Sequence, residues 1–173
     1  MIRVTKEVLP IMRNQRAGNI INTSSVRGRI GIPLNSAYIS SKFALEGLSE
    51  SMRYELEQFG IDVILIEPGV VKSNFFENAD VVNNKTNNTI SPYSQLTQLY
   101  EGFEPMLKSS SSSLPSDVAK IIYQAIKFNN REVRYLVGKD AVSIINARQK
   151  LSDKEIENWI KESLFQQKGF IRQ

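Results

Sequence analysis

The sequence predicts an α/β protein, a parallel sheet with helices packed on it, from three observations. Asp62-Val63-Ile64-Leu65-Ile66 is a nearly unbroken apolar run, the mark of a strand buried on both faces of a parallel sheet. Segments of strand character alternate with segments whose apolar residues recur at helical spacing. The resulting order of helix, strand, helix, strand, helix, strand, helix is that of strands joined by right-handed helical crossovers.

Each element follows from its own residues. In 2–15, Val4, Val8, Leu9, Ile11 and Met12 lie near helical spacing, interrupted by Pro10, and Gly18 is the expected stop. Residues 19–23 read as a short buried strand, and Gly28, Gly31 and Pro33 mark the loop after it. Residues 36–59 form the strongest helix, with Ala37, Ala44, Leu45, Leu48, Met52, Leu56 and Phe59 as its apolar stripe and Gly60 as its C-cap. Pro68-Gly69 ends the apolar strand.

From 74 to 115 the pattern blurs. Asn83, Asn84, Asn87 and Asn88 suggest an exposed, mobile stretch, 93–107 a short helix, and 109–113 a flexible serine connector. Ser116-Asp117 then caps a helix reaching Phe128, with Val118, Ile121, Ile122, Ala125 and Ile126 on its inner face. Residues 134–138 are a last strand, and helices are expected at 141–148 and 153–165.

Composition narrows the chemistry. The chain has 173 residues, 41% hydrophobic and 23% charged, enough for one compact core. It contains neither cysteine nor histidine, which excludes disulfides, thiolate or histidine metal sites, a Ser-His-Asp triad and a Cys-His dyad. Acid–base chemistry must come from Tyr, Lys, Asp or Glu. The net charge of +4 is scattered rather than clustered, which argues against nucleic acid. No apolar stretch approaches the ~18 residues of a membrane span, and the first residues do not read as a signal peptide. A soluble, cytoplasmic protein is the expectation.

Tyr38 and Lys42 stand four apart on the long helix and share a face. Alone, that pair recurs by chance. Ser25 lies at the end of the preceding strand, and Pro68-Gly69-Val70-Val71-Lys72-Ser73 follows the next one. In these residues the chain resembles the short-chain dehydrogenase/reductase family, in its compact single-domain branch. The segment from Asn19 to Ser25 is similar to the family's strand ending in a catalytic serine, that from Ala37 to Ala44 to its catalytic helix, and Pro68-Gly69 with Ser73 to its P-G-x-x-x-T segment, with serine for threonine. The likeness is strong over residues 2–75. It continues more loosely through Leu114 to Ala119 and Arg134 to Asp140, closest there to hydroxysteroid and retinol dehydrogenase-like members.

The resemblance implies a Rossmann-like doubly wound parallel sheet and an NAD(P)-dependent oxidoreductase interconverting an alcohol and its ketone or aldehyde. Tyr38 would be the general acid–base, Lys42 would tune it and bond the nicotinamide ribose, and Ser25 would orient the substrate oxygen. A free tyrosine has a pKa of about 10, and a nearby ammonium favours its ionised form. Pro68, Gly69, Val71 and Ser73 would line the nicotinamide site. Arg27 and Arg29 are more simply read as solvated loop arginines than as phosphate ligands.

The glycine-rich turn that receives a dinucleotide pyrophosphate does not occur in the sequence. Residues 1–173 are therefore expected to be a single partial domain, the carboxyl-terminal half of the fold: three strands with flanking helices, and 74–115 as a substrate loop. Leu96, Leu99, Tyr100, Phe103, Met106 and Leu107 could line a pocket there or could be ordinary core. With its first strand open at the sheet edge, the isolated chain is expected to fold poorly and to bind dinucleotide weakly. The full-length protein would be a homo-oligomer acting on a small hydrophobic alcohol or carbonyl, without metal. The alternatives are a non-catalytic remnant that pairs with a full-length paralogue and, less consistent with the serine spacing, an epimerase or dehydratase of the extended branch.

Overall fold

The computed structural model describes residues 1–75, 112–127 and 131–165, together with Pro92 and Ser94. Helix α1 (Ile2–Gln15) leads into strand β1 (Gly18–Thr23), one turn of 3-10 helix (Val26–Gly28) and the long helix α2 (Ser36–Leu56). A second 3-10 turn (Glu57–Phe59) joins α2 to β2 (Ile61–Pro68). Helix α3 (Pro115–Lys127), strand β3 (Arg134–Val137) and helices α4 (Lys139–Lys150) and α5 (Asp153–Phe165) follow. The strands are parallel in the order β1-β2-β3, with Gly18 opposite Ile61 and Leu65 opposite Arg134. This is the expected α/β arrangement, with helices on both faces.

Strand β2 is apolar throughout because both of its faces are covered. Ile61 and Val63 pack with Ile20, Met52 and Leu56, under Leu9 and Met12 of α1. Ile64 and Ile66 point the other way, onto Ala125 of α3 and Val137 of β3. A third cluster, Val26 with Ala141 and Ile145, seats α4 against the 3-10 turn at the carboxyl end of β1. That contact closes the end of the sheet where the strands finish.

Several boundaries and faces differ from the sequence reading. Helix α1 runs through Pro10, which sits on its exposed side and forfeits one backbone bond. It stops at Arg16, in the left-handed region with φ 54°, rather than at Gly18. Gly18 instead opens β1, where a Cβ would come within 2.7 Å of the Met12 sulfur. Gly60, at φ 67°, does turn the chain after α2. Helix α3 begins at Pro115, one residue earlier than expected, because proline suits a first helical position. The Asp117 carboxylate accepts the Leu114 N–H at 2.9 Å and completes that cap. Ile126, expected inward, is largely exposed.

The largest correction concerns α2. Ala37 and Ala44 are exposed and Leu45 only half-buried, whereas Ile39, Glu46, Ser49, Met52 and Leu56 are buried. The inward face is part polar because partners on distant strands satisfy it. Ser49 accepts from Asn22 of β1 at 2.9 Å, and Glu46 accepts from Arg134 of β3 at 3.1 Å. The exposed mobile stretch, the helix expected at 93–107 and its six candidate pocket residues lie outside the described residues, as does most of the serine connector. Its last residue, Ser113, is not a flexible link: it forms a parallel bridge with Val71, and its N–H donates to the Val70 carbonyl at 2.8 Å.

Candidate active site

The carboxyl ends of β1 and β2 open into a cleft of about 350 Å³. Ser25, immediately after β1, caps the 3-10 turn: its Oγ accepts the Arg27 N–H at 3.2 Å and donates a long 3.4 Å bond to the Pro68 carbonyl. Both bonds are weak enough for the hydroxyl to turn toward a ligand. Tyr38 lies in the first turn of α2, its ring edge-on to Phe75 at 5.5 Å. Lys42 lies one turn later, 5.6 Å from the centre of the Tyr38 ring, and its Nζ donates to the Thr23 carbonyl at 3.0 Å. The end of β1 thus holds the lysine, and the helix pitch places the tyrosine beside it.

All seven sequence-derived residues, Ser25, Tyr38, Lys42, Pro68, Gly69, Val71 and Ser73, line this one cleft. Among the described residues no cluster of three or more ligating side chains could hold a metal ion. Burial lowers the Lys42 pKa from its ordinary value, and the Glu46 carboxylate works against that shift. Neither loop arginine is simply solvated. Arg27 donates to Asn35 Oδ1 at 2.9 Å, and Arg29 pairs at 3.2 Å with the buried Glu67.

Sequence reasoning missed Asp140. From the first turn of α4 it reaches across to accept the Val70 N–H at 2.7 Å. Its carboxylate fills the space beside Gly69, where any Cβ would collide with it. The glycine of the Pro-Gly turn is therefore required by a side chain far along the chain, whose bond to the neighbouring Val70 spans 70 positions. No spacing rule reports a contact of that separation. Trp159 and Ile160 of α5 were missed for the same reason; with Ile30, Ile32, Phe75 and Ile144 they make much of the cleft wall apolar.

Comparison with known proteins agrees with this geometry. A family described as short chain dehydrogenase matches residues 1–83. An uncharacterised oxidoreductase of Schizosaccharomyces pombe is 35% identical over 153 residues, covering 88% of this chain and 62% of the relative. An uncharacterised oxidoreductase of Bacillus subtilis is 36% identical over 171 residues, covering 95% and 59%. The crystal structure of a short-chain dehydrogenase from Streptomyces avermitilis superposes with a TM-score of 0.68 at 29% identity, over 94% of this chain and 57% of that one. The chain thus spans about three fifths of the length of these relatives. In its parallel sheet, and over the residues these matches cover, the chain is similar to short-chain dehydrogenases.

Proposed function

We propose that this chain carries the catalytic half of an NAD(P)-dependent oxidoreductase that interconverts a hydrophobic alcohol and its ketone or aldehyde. The observation that carries the reading is the convergence of Ser25, Tyr38 and Lys42 on the cleft bounded by Pro68, Gly69, Val71 and Ser73. Residues 1–173 act in it as one partial domain.

The residues present fit a nicotinamide nucleotide on this side. Lys42 spends one of its three N–H donors on Thr23, which leaves two for ribose hydroxyls. Pro68, Gly69, Val71 and Ser73 would face the nicotinamide from the wall of the same cleft. The bound nucleotide would supply or accept a hydride. In reduction, Tyr38 gives its phenolic proton to the oxygen of the carbonyl as negative charge develops there, and later regains a proton from water. Lys42, as an ammonium beside the ring, offsets the charge left on the phenolate. Ser25 turns its hydroxyl from the Pro68 carbonyl to the same substrate oxygen. Oxidation runs these transfers in reverse. The apolar wall of Ile30, Ile32, Ile144, Trp159 and Ile160 favours a hydrophobic substrate body.

Trp159, the single tryptophan, is a built-in reporter. With a glycine-rich dinucleotide-binding segment joined in front of residue 1, NADH or NADPH is expected to change its emission saturably and to be oxidised by apolar ketones, with Tyr38→Phe lowering kcat by roughly 10²–10⁴-fold. Equal turnover by Tyr38→Phe would refute the mechanism.

A second reading, a non-catalytic remnant that associates with a full-length paralogue, is favoured by the large exposed apolar side chains Ile2, Val4 and Ile11 on α1 and Phe43 and Tyr54 on α2. It predicts neither nucleotide response nor turnover, and a size shift on mixing with the paralogue.

A further inference from the structure

Beneath the cleft, β2 ends in a buried carboxylate that the proposed chemistry does not use. Glu67 directly precedes the Pro68–Gly69 turn and is 1% exposed. It meets Arg29, from the loop after the first 3-10 turn, at 3.2 Å, and Arg134 of β3 at 3.1 Å. The Arg134 Nε also lies 3.1 Å from Glu46 of α2, which is 5% exposed, and its other arm reaches Glu50 at 3.0 Å. Glu46 and Glu67 therefore converge on one guanidinium nitrogen.

Two features show that this cluster is short of a proton donor. Glu46 and Glu67, both buried, lie on the single N–H of the Arg134 Nε, which cannot fully satisfy both. Glu46 Oε1 is buried without any hydrogen-bond partner. An ionised carboxylate oxygen stranded in that way is costly, and a carboxylic acid beside it would satisfy it. Glu46 also lies one helical turn beyond Lys42, on the same face of α2, and its charge acts on that lysine.

We propose that Glu46 and Glu67 share one proton around neutral pH and form the positioning pair that ties the Pro68–Gly69 strand end to α2 and keeps Lys42 an ammonium. The role given to Lys42 rests on the reading above; the shared proton does not. The pair works by charge and position, not by touching substrate. Burial, and then the Glu46 carboxylate, push the Glu67 carboxyl up to about 7 against the pull of Arg29 and Arg134, in keeping with a proton held there.

The test uses the purified chain without nucleotide or substrate, so it stands apart from any failure of the dehydrogenase reading. Infrared difference spectra across a pH titration should show a protonated carboxyl band that disappears with a midpoint near 7. The band should move to lower pH in Glu46→Gln and be lost in Glu67→Gln. If the parent protein shows no such band near neutral pH, the shared proton is refuted, whether or not the variants fold. In lysine-labelled NMR, the resonance missing from Lys42→Arg should titrate at lower pH in Glu46→Gln than in the parent. An unmoved Lys42 midpoint would overturn the positioning role.

Discussion

Replacing Gly69 by alanine probes the link between the Pro-Gly turn and α4. The new methyl group would fall inside 3.0 Å of the Asp140 carboxylate, which is held by its 2.7 Å bond from the Val70 N–H. The carboxylate has to leave, and a hydrogen bond to a charged group contributes about 1.5–3 kcal/mol. Gly69→Ala should therefore lose about that much. Asp140→Ala should lose somewhat less, because it also removes the buried Oδ1 that has no partner. In the double variant the same bond is lost only once, and the methyl group no longer meets a carboxylate. The two single losses should then overcount the double loss by about 1.5–3 kcal/mol, the range for directly coupled neighbours. Urea denaturation of the four proteins at one pH measures the cycle. Single losses that add to within about 0.5 kcal/mol would refute the reasoning, since that is the behaviour of independent sites.

Leu56, 1% exposed in the cluster between α2 and the sheet, should lose about 2–5 kcal/mol when truncated to alanine. A fall below about 1 kcal/mol in denaturant unfolding would mean that the cluster is not as closely packed as described. Glu67 should impose a pH slope on stability. Raised from 4.5 to about 7, first by burial and then by Glu46, it keeps in the folded state a proton that the unfolded chain releases. Stability fully present below 4.5 is then lost as the pH climbs to about 7, on the order of 3 kcal/mol at 1.36 kcal/mol per pH unit. Glu67→Gln should lack this slope and gain on the parent across that window; parallel curves would sink the idea.

What could be read from the residues was what is local. Tyr38 and Lys42 share a face because four residues nearly complete a helical turn, and that holds before any folding partner is known. The unbroken apolar run of β2 announces a strand covered on both sides, as Ile61 and Val63 against α1 and α2, and Ile64 and Ile66 against α3, bear out. Ser25, Pro68 and Gly69 were legible through motifs tied to strand ends. The face of α2 was misread where hydrophobicity is a poor guide: Glu46 and Ser49 point inward because Arg134 and Asn22 wait there.

The sequence by itself therefore determined the alternation of helices and strands, the absence of histidine and thiol side chains, and the proximity of Tyr38 and Lys42 on one helix face. The tertiary structure decided which distant groups surround them. Parallel strands linked through helices finish at the same edge, so Asp140 and Trp159 come to lie around the cleft that holds Ser25, Tyr38 and Lys42. Glycine at position 69, the stranded oxygen of Glu46 and the apolar wall from α5 all follow from that convergence. Such contacts depend on strand pairing and helix packing across many tens of residues, and no local pattern encodes them.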